Sequence, residues 1–121
     1  MIFIKNELLV RFFQIMTLCH TVHVEEENEE KYQASSPDEF SFVKFCARLG
    51  VEFVGDEKDP NSPYMIRVVK FKDQVYKYQI LNILEFDSDR KRMSVIVKDL
   101  LENRIILLSK GNFIEQFNIY I

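Results

Sequence analysis

Hydrophobic and polar positions divide the 121-residue chain into two parts with different periods. Leu8, Leu9, Phe12, Phe13, Ile15, Met16 and Cys19 recur at helical spacing, which predicts a helix over 6–19 with Asn6 as its N-cap. Phe42, Val43, Phe45, Cys46 and Leu49 repeat that spacing behind "SSPDE". There Ser36 caps, Pro37 takes the first helical position, Glu39 completes a capping box, and Gly50 stops the helix. Beyond Gly50 the period becomes two. Residues 51–54 predict a strand, and 55–63, with a glycine and two prolines, a loop. Residues 64–71 and 75–86 predict a hairpin turning at Lys72, Asp73 and Gln74; residues 92–98 and 104–110 predict another turning at 99–103. Residues 20–24 are β-branched and read as a short strand, and the acidic run 25–30 as a loop.

Consecutive hairpins imply an antiparallel sheet, and helices placed ahead of them imply a cover on one face. The expected class is α+β, in one domain over 1–121. "FIEQFNIYI" is apolar to the last residue and reads as a helix or strand cut short. The chain is therefore expected to be a fragment of a longer protein, truncated on its C-terminal side.

Composition narrows the function classes. A hydrophobic fraction of 47% can build a core. A net charge of −3 disfavours a nucleic-acid partner, so any anion site must be a local group of lysines and amides. Cys19 and Cys46 lie in helical patterns and read as free, buried, reduced thiols. Lys5, Glu7 and Arg11 interrupt the apolar start, which leaves no uncharged run of the ~18–20 residues a spanning helix needs. His20 and His23 lack further ligands at zinc spacing. Neither phosphate-loop motif nor a nucleophile elbow is present, so no catalytic residue and no metal ligand is assigned.

One stretch asks for a reason. "EFDSDRKRMSVIV" sets Phe86 at a strand end between Glu85 and Asp87, ahead of a basic tetrad. Taken singly, the tetrad is a solvated turn, Glu39 is helix punctuation, and Lys110 with Gly111 is a strand-end turn. Phe86 is either core or the mouth of a pocket. Taken together, Phe86, Lys91 and Lys110 fall near strand ends, with Glu39 at a helix start. That set suits a purine nucleotide. A ring stacks on the base for about 1–3 kcal/mol, ammonium groups meet phosphate as point charges, and Gly111 lets a backbone come close.

The stretches "FFQIMTLCHTV", "KYQASSPDE", "LNILEFDSDRKRMSVIV" and "LLSKGN" resemble, in order and spacing, the nucleotide-binding domain of P-type ATPases of the phospholipid-flippase class. The resemblance covers nearly the whole chain. It implies that Phe86 stacks on adenine, that Lys91 lies near the nucleotide and that Lys110 sits at the back of the adenosine pocket. Glu39 would contact the adenine side, and Ser88 and Met93 would line the pocket. It further implies ATP as ligand, magnesium held mainly by other parts of the pump, and phosphoryl transfer to an aspartate in a separate domain. Phosphorylation would drive phospholipid between leaflets. The full-length protein would be an integral membrane protein, this domain cytosolic, and its partners the other domains of the pump, with room for an accessory membrane subunit.

The family's D-K-T-G-T, T-G-E-S and G-D-G-x-N-D motifs are not in this chain, so the isolated chain is expected not to hydrolyse ATP. Asn112 and Phe113 depart from the family's K-G-A element, and Phe40 and Phe42 from its smaller residues, which bears on pocket depth. The alternative reading is a non-enzymatic module that binds a peptide along an open sheet edge.

Overall fold

The computed structural model describes residues 7–24, 32–33, 37–111 and 118–120. The expected caps Asn6 and Ser36, the acidic run 25–30, and Asn112 and Phe113 lie outside the described residues. Helix α1 spans Glu7–Leu18 and helix α2 spans Pro37–Arg48. Between them, β1 (His23–Val24) and β2 (Tyr32–Gln33) pair antiparallel. Then β3 (Val51–Lys58), β4 (Met65–Phe71), β5 (Gln74–Asp87), β6 (Arg92–Asp99), β7 (Arg104–Gly111) and β8 (Asn118–Tyr120) form one six-stranded antiparallel sheet in sequence order. The class is the expected α+β. The apolar C-terminal run contributes a strand, β8, paired with β7.

The helices cover one face. Phe13, Ile15, Met16, Leu18 and Cys19 of the α1 region pack on alternate strand residues: Val51, Val69, Tyr76, Tyr78, Met93, Val95, Val97, Ile106 and Leu108. Period-two burial on the sheet thus meets helical burial on α1, and each fully buried aliphatic side chain contributes about 1.5–3 kcal/mol. Helix α2 packs on α1 and β3, around a smaller cluster of Val22, Val43 and Phe53. Gly50, at φ +92°, closes α2 and donates its N–H to the Ala47 carbonyl at 3.0 Å. Both cysteines are free and buried, and burial pushes each thiol up to about 11.

Three elements differ from the expectation. Strand β3 does not stop at residue 54 but continues to Lys58, because the register shifts between Phe53 and Gly55. Gly55 carries the shift at φ +138°, a conformation closed to most side chains, so the expected loop begins only at Asp59. The strand expected over 20–24 shrinks to His23–Val24, since residues 19–20 are tied to the end of α1. On α2 the apolar stripe is narrower than expected. Val43 and Cys46 are buried, while Phe42, Phe45 and Leu49 are exposed, because the helix packs mainly on α1 and β3.

The sheet and α1 are joined by a buried cation. Arg67 on β4 is 2% exposed and donates from Nη1 to the carbonyls of Leu18 at 2.7 Å and His20 at 2.8 Å. Its Nε and Nη2 donate to the two oxygens of Asp56, its register partner on β3, at 2.9 and 3.1 Å. Asp56 reaches that position only because of the Gly55 shift. His20 beside it is fully buried. Its Nε2 lies 2.7 Å from the Thr17 carbonyl and its Nδ1 accepts from the Val22 N–H at 3.0 Å, so the neutral ring is fully satisfied. Burial, and then the Arg67 charge, hold its pKa well below 6.5.

Two expectations follow. Replacing Arg67 by Met leaves Asp56 and two helix-end carbonyls without their donor, and chemical denaturation should show a loss of about 3 kcal/mol. For His20, the unfolded chain takes up a proton near the ordinary value and the folded chain only well below it. The unfolded state therefore binds more protons in the window beneath pH 6.5. Stability is full above that pH and falls on acidification, by up to about 1.4 kcal/mol per pH unit. His20→Gln should flatten this part of the stability–pH curve; an unchanged slope would show that another group titrates there.

Candidate nucleotide-binding site

The route from sequence to site runs through β5. A 14-residue strand with strict alternation would keep one set of positions inward, yet β5 has two register shifts, between Ile80 and Asn82 and between Leu84 and Asp87. Before the first shift, Tyr76, Tyr78 and Ile80 face the core; after it, Ile83 does. At the second, Leu84 pairs with Ser94 and Asp87 with Arg92, so Glu85 and Phe86 share the single opposing residue Met93. Counted back from the Asp87–Arg92 pair, Phe86 falls on the face of Met93. Met93 in turn pairs with Lys110 on β7. Phe86, Met93 and Lys110 therefore form one row across three strands, with the Phe86 and Lys110 backbones about 10 Å apart at ordinary strand spacing.

Phe86 is 55% exposed, which resolves the choice between core and pocket mouth in favour of an open ring. Met93 is 4% exposed and belongs to the core, so it can only floor the space between its two neighbours. Lys110 is mostly covered. Its Nζ lies 3.9 Å from Glu39 Oε1 and 5.7 Å from the centre of the Phe42 ring on α2. The other Glu39 oxygen accepts from the Thr21 N–H at 3.1 Å and the Thr21 hydroxyl at 2.7 Å. Glu39 thus does more than punctuate a helix. Its carboxylate is turned toward Thr21 and Lys110 and links α2, the segment after α1 and β7.

Lys91 and Ser88 lie exposed in the turn between β5 and β6. Lys91 has φ +55° and donates its N–H to the Asp87 carbonyl at 2.6 Å. The Asp87 carboxylate accepts from the N–H groups of Asp89 at 2.7 Å and Arg90 at 3.3 Å, and those bonds hold its pKa below the usual range. The charged tetrad is therefore an ordered turn. Gly111 pairs with Arg92 at the end of β7. A Cβ there would lie 2.8 Å from the Lys91 carbonyl oxygen, so the close approach it permits is to this chain's own turn.

Spacing alone gave no signal for Thr21 and Phe42 as neighbours of Glu39 and Lys110, since those contacts are made by helix docking. A shallow depression lined by Ile83, Leu84, Glu85, Asp87 and Arg90 flanks the β5 shift without including Lys91 or Lys110. Among the described residues no three His, Cys, Asp or Glu gather as metal ligands. The magnesium implied by the resemblance has no ligand set among the described residues.

The family model described as P-type ATPase, cytoplasmic domain N, matches residues 8–114. "Phospholipid-transporting ATPase 2" of Arabidopsis thaliana is 42% identical over 105 residues, covering 85% of this chain and 9% of the relative. "Phospholipid-transporting ATPase 10" of the same plant is 40% identical over 106 residues, with the same coverage. "Phospholipid-transporting ATPase C887.12" of Schizosaccharomyces pombe is 39% identical over 108 residues, covering 86% of this chain and 8% of the relative. The chain thus spans under a tenth of the length of these relatives, none of which is named as a peptide-binding module.

Gly111→Ala should force the Lys91 carbonyl outward. Thermal unfolding should report a loss of about 1–3 kcal/mol, the usual range for an overpacked site. Wild-type stability in that variant would mean the turn gives way freely.

Proposed function

Because the chain belongs to the family of P-type ATPase cytoplasmic N domains, we propose that its 121 residues form one ATP-holding domain of a longer phospholipid-transporting ATPase. Phe86 stacks on adenine, Met93 floors the base, and Lys110, steadied by Glu39 and Thr21, closes the adenosine end. Lys91 and Ser88 face the phosphates from the turn, and Gly111 keeps that turn against β7. The observation that carries this reading is the row Phe86–Met93–Lys110, counted from the strand register, with an exposed ring at one end and a buried ammonium beside Glu39 at the other.

In the full-length protein the domain presents the γ-phosphoryl group to an aspartate carried by another domain. Positioning and charge, rather than a base from this chain, promote the transfer. Magnesium is held by the phosphates and by residues of other domains. The phosphorylation cycle then moves phospholipid across a membrane in which other segments are anchored. This domain stands on the cytosolic side and works against the pump's other cytosolic and membrane domains, with an accessory membrane subunit as a further partner.

Titration calorimetry with ATP and with adenosine tests the roles separately. Phe86→Ala should weaken both ligands roughly tenfold or more, the worth of one base–aromatic stack. Lys91→Ala should weaken ATP and leave adenosine unchanged. Wild-type affinities in Phe86→Ala would overturn the stacking role.

A further inference from the structure

We propose that Arg90 is a positioning residue for the nucleotide, acting through the strand that carries Phe86. The inference rests on the reading of Phe86 as the stacking ring. Arg90 follows the β5 shift in sequence and folds back onto it. Its Nη2 donates to the carbonyl of Glu85 at 3.0 Å and, more weakly, to that of Leu84 at 3.4 Å. These are the last paired residue before the register shift and the first residue within it. The Arg90 Nε lies 3.8 Å from Asp87 Oδ2, and the Arg90 N–H donates to Asp87 Oδ1. One side chain therefore ties both ends of the shift, with Asp87 on the far side and Leu84 and Glu85 on the near side.

The importance of that tie comes from parity. A side chain's face is set by the register of its strand, and a slip of one residue turns it to the opposite face. If the shift between Leu84 and Asp87 relaxed into plain alternation from the Leu84–Ser94 pair, Glu85 alone would oppose Met93. Phe86 would then turn away from Lys110. Guanidinium suits the clamp because its planar fork reaches carbonyl and carboxylate together, whereas an ammonium offers a single point. Arg90 is 32% exposed at its side chain and spends its donors on the chain itself, unlike exposed Lys91 beside it.

A double-mutant cycle on the full chain tests this, with ATP and adenosine as probes. Arg90→Ala should weaken both ligands equally, by about fivefold, the fold-change that one net hydrogen bond carries. In a Phe86→Ala background the same change should have no further effect, since Arg90 acts only through the ring. Amide shifts should move within residues 84–94 and not across α1. If Arg90→Ala melts below the assay temperature, Arg90→Lys is read in its place, with a smaller loss in the same direction. A loss confined to ATP would assign Arg90 to the phosphates and overturn the proposal. So would a loss that persists without Phe86, or no loss at all. A loss in Phe86→Ala with none in Arg90→Ala removes the positioning role alone; no loss in Phe86→Ala removes the stacking reading and this one with it.

Discussion

The fold turns on one buried guanidinium. An unsatisfied charge at the position of Arg67 would be too costly to bury, and every donor it offers toward the interior finds a partner in the Asp56 carboxylate or the carbonyls at the end of α1. This fixes where α1 stops and how the chain leaves it. The segment that leaves carries Thr21, whose N–H and hydroxyl hold Glu39. Glu39 then stands beside Lys110. A cation on β4 thus determines, through three handovers, where an acid on α2 meets an amine on β7.

The second determinant is arithmetic in the backbone. Sheets place side chains by counting, and β5 miscounts twice. The first shift moves the inward set from even to odd positions and the second moves it back, so Tyr76, Tyr78, Ile80, Ile83 and Phe86 all address the helix-bearing side. The helices do not extend over the last of these, and the ring there stays open to solvent. An exposed aromatic on the face that is elsewhere core is a local departure from the pattern, and the stacking role proposed for Phe86 draws on it.

Much of this was legible in the residues. Both helices, their punctuation by Pro37 and Gly50, and the two long hairpins follow from changes of period and from breakers. Phe86 and Lys110 each had an ordinary structural reading, and could be nominated only together, as a ring and an ammonium near strand ends that suit a purine nucleotide and that the family resemblance gives roles. What escaped was set by tertiary register. Gly55 reads as a loop residue, yet it lets β3 continue. Residues 81, 85 and 86 lie in what reads as one unbroken strand, yet the ladder skips them. Phe42, Phe45 and Leu49 read as core because their spacing is right, but α2 has too few neighbours to bury them. Glu39 read as a cap, since its partner Thr21 lies on another element.

The order of strands in the sheet has a thermodynamic corollary. Each strand is laid beside the one made just before it, so most of the ladder closes short loops. Arg90 reaches Glu85 over a separation of only 5 residues, whereas the Cys19 thiol meets the Leu108 carbonyl over 89. Loop-closure entropy grows with the logarithm of separation, so these two kinds of contact draw on different parts of the chain's conformational freedom. One half of the proposed site is written within a single ribbon and needs little else to hold its shape. The other half exists only once distant ends of the polypeptide have been gathered in.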